Sequence, residues 1–183
     1  YYLESPWFKN GKETELPEDF YSSEFFVDQM IEFIDEDKDK DSPFFAYLSF
    51  QAQHIPLQAP QEFIDKYLTT YEEGWDTLRE QRKNKAVEKG IFPPDKKIVD
   101  SMSTLDSWSA VDQESKKMII KSMAVFAGML DAMDFHIGRF MTYLKKEGLY
   151  ENTIFIVTAD NGPEGNDPSD HAPWREWFKT TIY

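Results

Sequence analysis

Two adjacent residues near the end of the chain, Asp160 and Asn161, offer a carboxylate oxygen and an amide oxygen side by side. Hard cations such as calcium select oxygen ligands of this kind. Calcium takes about six to eight oxygens, and the nearby Glu164 and Asp167 do not complete the loop pattern of an EF-hand. We therefore predict that Asp160 and Asn161 form part of a metal site. An ordinary turn is the alternative, because Asp-Asn-Gly-Pro consists of common turn formers.

The imidazole of His54 is a second group that could act on an anion, because it can donate a hydrogen bond to a negatively charged oxygen. The neighbouring Gln51 and Gln53 make its loop polar rather than core-like. The alternative is a structural histidine whose hydrogen bonds stay within its own loop. We assign the other two histidines, His136 in an apolar helical pattern and His171 in an irregular segment, to structure or solvent.

Two short apolar runs precede these candidate residues, and both are predicted as buried strands. Residues 43–50 are almost continuously apolar and aromatic, a pattern typical of a strand covered on both faces. Residues 153–159 are a β-branched run that ends directly at Asp160. Parallel strands need a crossover between them, and ligands bind beyond their carboxyl ends. We therefore predict an α/β fold, a mostly parallel sheet flanked by helices, with His54 and Asp160 at one rim.

Helical periodicity occupies much of the remaining chain. An amphipathic helix is predicted from Ser23 to Ile34, and a charged helix on a surface excursion is predicted over residues 75–89. Apolar residues recur in steps of four and three over residues 113–146, which predicts one long helix or two in tandem. A coiled coil is the competing interpretation, but Gly128 and Gly138 interrupt the pattern. Packing against a sheet is therefore favoured.

Composition excludes several classes of function. The formal net charge of −14 argues against a nucleic-acid partner, which requires clustered Lys and Arg. Cysteine is absent, so the chain can form neither a disulfide nor a thiolate metal site. No apolar run approaches the ~20 residues that cross a bilayer. The acidic run from Glu32 to Asp41 is predicted as a solvated loop without a function.

Both ends of the sequence are expected to be internal to a longer protein. Residues 1–4 contain neither an initiator Met nor the apolar region of a signal peptide. Residues 179–183 stop in a β-prone stretch without a helix cap. The stretch up to Phe20 has no sustained period, and we predict a surface loop with a turn at Asn10-Gly11.

Several blocks of the sequence, in this order, resemble the sulfatase family. Residues 43–50 running into residues 54–60 look like the mid-chain histidine segment of sulfatases. Residues 128–139 and 152–162 resemble the sulfatase helix, strand and metal-binding turn, and residues 74–79 are similar to an insertion seen in bacterial arylsulfatases. The resemblance therefore extends over nearly the whole chain.

The resemblance implies an alkaline-phosphatase-like α/β fold and hydrolysis of sulfate esters, with residues 1–183 forming an internal portion of a single catalytic domain. It implies that Asp160 and Asn161 supply part of a calcium shell and that His54 contacts a sulfate oxygen. The substrate would be a sulfated small molecule or carbohydrate. Neither a nucleic-acid partner nor a membrane-spanning segment is expected. A periplasmic or secreted location is implied in the same way.

The departures from the family pattern concern the nucleophile. In sulfatases it is a formylglycine made from Cys or Ser within Cys/Ser-x-Pro-x-Arg, and this chain contains no such motif. Lys179 does not match the family's downstream lysine, which precedes a glycine turn. The isolated chain is therefore predicted to be inactive. A phosphodiesterase or phosphonate hydrolase of the same superfamily is one alternative, and a non-catalytic binding module without metal at Asp160 is another.

Overall fold

The computed structural model describes residues 6–36, 42–54, 56–98 and 106–162. The strands and α-helices in these ranges are β1 (Trp7–Lys9), β2 (Lys12–Thr14), α1 (Ser22–Glu36), α2 (Gln61–Ile64), α3 (Gly74–Glu88) and α4 (Gln113–Lys146). Short 3-10 helices lie at Asp65–Tyr67, Trp108–Ala110 and Tyr150–Asn152. No helix in the described ranges is both long and apolar enough to cross a membrane.

The chain divides into two compact units. The first unit comprises residues 1–58 and 129–183, and the second unit comprises residues 59–128. Helix α4 contributes its residues up to Gly128 to the second unit and the remainder to the first.

The first unit begins with a β-hairpin rather than the predicted surface loop. Strands β1 and β2 pair antiparallel, with Trp7 opposite Thr14. The predicted turn at Asn10-Gly11 joins them, with φ of 52° at Asn10 and 75° at Gly11. Positive φ at both central residues is the requirement of a type I′ turn, whose twist matches that of the paired strands. Each strand has only three residues, so the alternation of side chains that marks a strand was too short to be recognised in the sequence.

The core of the first unit lies between α1 and the second half of α4. Val27 of α1 and Leu144 of α4 have no exposed surface, and Phe140 is almost as buried. Both helices form where apolar periodicity predicted them, and α4 is a single helix. The acidic run predicted as a loop begins inside α1, which continues to Glu36, and residues 37–41 lie outside the described residues.

The predicted parallel sheet is not confirmed, because the sheet in the described residues is the antiparallel β1–β2 pair. Cover on both faces of residues 43–50 is not confirmed either, since the Phe45 side chain is 92% exposed in the described structure. Phe44, Leu48 and Phe50, in contrast, pack against the core of the first unit. One side of this run is therefore covered by helices and the other is open.

The run over residues 153–159 behaves in a similar way. It forms no strand in the described structure. Ile154 is 88% exposed, and the ring centroid of Phe155 lies 5.4 Å from that of Tyr150. A strand forms a ladder only when a neighbouring strand accepts its hydrogen bonds, and the described residues supply none to this run. An apolar pattern alone therefore did not predict burial here.

The second unit is built from α2, α3 and the first half of α4. Phe63 and Ile64 of α2 are buried, as are Ala124 and Val125 of α4. A Cβ atom at Gly128 would lie 3.1 Å from the backbone nitrogen of Ile64. The glycine therefore permits the backbones of α2 and α4 to approach closely.

Candidate functional site

The Asp160-Asn161 turn directly follows the apolar run over residues 153–159. The backbone N–H of Asn161 donates to Asp160 Oδ1 at 3.0 Å, and Asn161 Nδ2 donates to the Gly162 carbonyl oxygen at 2.7 Å. Because the Asn161 amide nitrogen is engaged, the oxygen Oδ1 is the atom this side chain can offer to a cation. Both side chains are exposed, so a ligand can reach them from solvent.

His54 lies in a turn at the end of the other apolar run. Its backbone N–H donates to the Gln51 carbonyl oxygen at 2.8 Å, and the residue is exposed. Leu48 and Phe50, which precede this turn, pack against the core and so anchor the segment that presents it. His54 and Asp160 both belong to the first unit.

The described residues do not hold a complete metal site. No group of three or more Asp, Glu, His or Cys side chains among them could bind an ion. Asp160 and Asn161 supply two oxygen donors, which suits calcium in chemical type but covers only part of its shell of about six to eight oxygens. Glu164 and Asp167 lie outside the described residues. A calcium site at this turn therefore needs ligands from other segments.

His136 is a structural residue of the first unit. Its side chain is only 4% exposed, and its Nδ1 accepts a hydrogen bond from Arg139 Nη1 at 2.9 Å. Because arginine can only donate, this contact selects the neutral tautomer with the proton on Nε2. Tyr21 lies against the imidazole with 6.3 Å between ring centroids, and burial raises the pKa of its phenol. His171 lies outside the described residues.

The second unit contains a cavity that the sequence analysis did not predict. Helix α3 lines it with Trp75, Arg79 and Arg82, which recur at helical spacing and so share one face. That spacing was present in the sequence, but we interpreted the segment as a surface excursion because it is strongly charged.

Comparison with known proteins gave a consistent result along the chain. The model of the sulfatase family matches residues 2–180. An uncharacterised sulfatase of Schizosaccharomyces pombe is 40% identical over 149 residues, covering 80% of this chain and 26% of that protein. An arylsulfatase of Klebsiella aerogenes is 37% identical over 154 residues, covering 84% of this chain and 33% of that protein.

A third relative has a broader description. A multifunctional alkaline phosphatase superfamily protein of Trinickia caryophylli is 24% identical over 161 residues, covering 85% of this chain and 30% of that protein. The chain thus spans a third or less of the length of each of these relatives.

Proposed function

From the premise that the chain belongs to the sulfatase family, we propose that it is an internal portion of the catalytic domain of a sulfuric ester hydrolase of the arylsulfatase type. The observation that carries the proposal is the Asp160-Asn161 turn, which lies at the end of an apolar run inside the family match. This turn presents two adjacent oxygen donors to solvent, as a partial site for a hard cation requires.

We assign roles to three residues. Asp160 supplies a carboxylate oxygen and Asn161 an amide oxygen to calcium, and the hydrogen bonds within the turn hold the two side chains in place. His54 donates a hydrogen bond to a sulfate oxygen of the substrate and so positions the anion. When bound, calcium neutralises negative charge that develops on the sulfuryl group.

The nucleophile belongs to another part of the protein in this proposal. A formylglycine made from Cys/Ser-x-Pro-x-Arg cannot come from this chain, which contains no such motif. The 183-residue chain by itself is therefore expected to be inactive. Sulfated small molecules or carbohydrates are the proposed substrates, and a periplasmic or secreted location is proposed by analogy with the family.

The proposal extends to the fold, because the open faces of the two apolar runs match strands of a larger sheet. Residues 43–50 are covered by helices on one side only, and Phe45 and Tyr47 are exposed on the other. We propose that they and residues 153–159 become parallel strands of an alkaline-phosphatase-like sheet in the complete protein. The relatives are at least three times as long as the matched region, which leaves ample chain to supply the remaining strands.

A phosphodiesterase or phosphonate hydrolase is the second candidate function. It is motivated by the relative of Trinickia caryophylli, which is described as a multifunctional protein of the alkaline phosphatase superfamily, although that protein is less similar than the arylsulfatase. Sulfate and phosphate esters present a similar tetrahedral anion, so His54 and the Asp160-Asn161 turn could serve either.

The two candidates are separated by comparing hydrolysis of 4-nitrophenyl sulfate with that of bis(4-nitrophenyl) phosphate. The full-length protein that contains this chain is the enzyme to use. Faster hydrolysis of the sulfate ester supports the sulfatase proposal, provided that chelation of calcium abolishes this hydrolysis. Preference for the phosphodiester would replace it with the second candidate.

A further inference from the structure

A cavity of about 520 Å3 lies within the second unit. One face of α3 and the first half of α4 line it, with Ile119 and Met123 contributed by α4. Trp75, Phe92 and Trp108 add aromatic surface to the walls. The volume falls in the range of small-molecule sites, roughly 300 to 1000 Å3. The mainly apolar lining is also typical of such sites.

The two indole rings of the cavity are held in fixed positions. Their centroids are 4.8 Å apart in an edge-to-face arrangement. Trp75 Nε1 donates to the Asp106 carbonyl oxygen at 3.1 Å, and the backbone N–H of Trp108 donates to Asp76 Oδ2 at 2.8 Å. An aromatic ligand would therefore meet a surface that is already ordered, which lowers the entropy cost of binding.

The cavity also carries an excess of positive charge in a chain whose net charge is −14. Arg79, Arg82 and Lys83 line it from α3, and the Lys83 ammonium lies 4.0 Å from the Glu80 carboxylate on the same helix. Within the described ranges, the guanidinium groups of Arg79 and Arg82 form no ion pair and no hydrogen bond. The lining carboxylate of Asp76 accepts the Trp108 N–H instead.

We propose that this cavity binds a small aromatic anion, an arene that carries a sulfate, sulfonate or carboxylate group. The ring lies against Trp75 and Trp108, and the anionic group accepts hydrogen bonds from Arg79 and Arg82. Guanidinium groups suit this task because they present several donors in a plane that matches such oxyanions. All of these residues belong to the second unit, so the proposal does not depend on the sulfatase function.

Isothermal titration calorimetry of the chain with 2-naphthalenesulfonate tests the proposal. The key variant is the double substitution Arg79→Gln with Arg82→Gln, which removes two positive charges from the cavity. Lys96→Gln with Lys97→Gln is its matched control, because it removes two charges from exposed positions of the same unit that do not line the cavity. Ala86→Phe is a second variant, which places a ring in the cavity and leaves the arginines unchanged.

We expect saturable binding to the wild-type chain and to the lysine variant. Binding should be at least about tenfold weaker in the arginine variant, because the charge-assisted hydrogen bonds are lost, and Ala86→Phe should weaken it by a similar factor. Circular dichroism confirms that each variant is folded. The absence of saturable binding to the wild-type chain would overturn the proposal, as would equal affinity for the arginine and lysine variants.

Discussion

Arg139 Nη2 donates a hydrogen bond to Asp28 Oδ1 at 2.6 Å and so joins α4 to α1 between residues 111 positions apart. The same guanidinium donates from Nη1 to the buried His136, and Glu24 lies 3.8 Å away. Arg139 therefore supplies a hydrogen bond to a buried imidazole and also takes part in an ion pair. It fixes the two helices that cover the run leading to His54.

Arg139→Ala should lower the free energy of unfolding of the chain by about 1 to 3 kcal/mol, because it leaves the buried Nδ1 of His136 without its donor. The ion pair adds little to this value, since both of its side chains are more than a third exposed. Urea unfolding followed by circular dichroism measures the change. Asp28→Asn, which weakens only the ion pair, should cost less than about 1 kcal/mol. Equal costs for the two variants would contradict the role assigned to His136.

The two glycines inside α4 should respond in opposite ways to alanine. At Gly138 a Cβ would meet no atom within 4 Å, so Gly138→Ala should stabilise the chain by roughly 0.5 to 1 kcal/mol through helix propensity. At Gly128 a Cβ would press on the α2 backbone at Ile64, and overpacking of this kind costs about 1 to 3 kcal/mol. Urea midpoints of the two variants decide the matter. A stabilising Gly128→Ala would show that α2 does not pack closely on α4.

Gly74 and Gly90 form a second matched pair, because both have a positive φ, of 76° and 70°. Gly90 follows the C-terminus of α3 with open space around it, so Gly90→Ala should cost about 1 kcal/mol from backbone strain alone. A Cβ at Gly74 would overlap the Trp108 ring, so Gly74→Ala must displace that ring. We expect a clearly larger loss of stability, together with a change in tryptophan fluorescence. Identical losses would mean that Trp108 does not rest on Gly74.

Asp112 precedes α4, and its Oδ1 accepts the backbone N–H groups of Glu114 and Ser115 at 3.0 and 2.9 Å. These bonds cap the helix N-terminus. The side-chain hydrogen bond with Ser115, followed by the backbone bonds, holds the pKa of the Asp112 carboxyl below its usual 3.8. The stability contributed by the charged cap is therefore fully present above that value and is lost as the pH falls through the lowered pKa.

The prediction for Asp112 uses two variants. Asp112→Ala should lower the urea midpoint at pH 7, whereas Asp112→Asn should remain close to wild type there because asparagine also caps helices well. Below pH 4 the urea midpoint of the wild-type chain should fall towards that of Asp112→Ala. The midpoint of Asp112→Asn should stay above that of Asp112→Ala at the same pH. A wild-type advantage that persists unchanged to pH 2 would rule out the lowered pKa.

The helices were predictable from the sequence because their apolar residues recur with the helical period. Helix α4 is continuous through Gly128 and Gly138, although both glycines interrupt its pattern. The burial of the apolar runs was not predictable in the same way, because residues 43–50 are apolar throughout and the described structure covers only one side of them. Burial of a strand depends on segments that are distant in the chain, and local periodicity carries no information about them.

The candidate site was predictable only in part. The position of Asp160 and Asn161 after an apolar run follows from the sequence order, and the structure adds the hydrogen bonds that orient the turn. The Arg139 contact with Asp28 and the cavity beside α3 depend on the packing of elements far apart in sequence. Charged residues in a helical pattern usually face solvent, so Arg79 and Arg82 gave no sign of lining a cavity.

The role of Asp160 as a metal ligand is tested by measuring hydrolysis of 4-nitrophenyl sulfate in the presence of calcium, with the full-length protein and with its Asp160→Ala variant. Asp19→Asn is the control, because it changes an exposed carboxylate in the same unit. We expect Asp160→Ala to lower kcat/KM by at least about 100-fold, since loss of a metal ligand should exceed the 10- to 100-fold effect of outer-shell changes. Asp19→Asn should leave kcat/KM unchanged. Unaltered activity and calcium dependence in Asp160→Ala would contradict the assignment of this turn to the metal site.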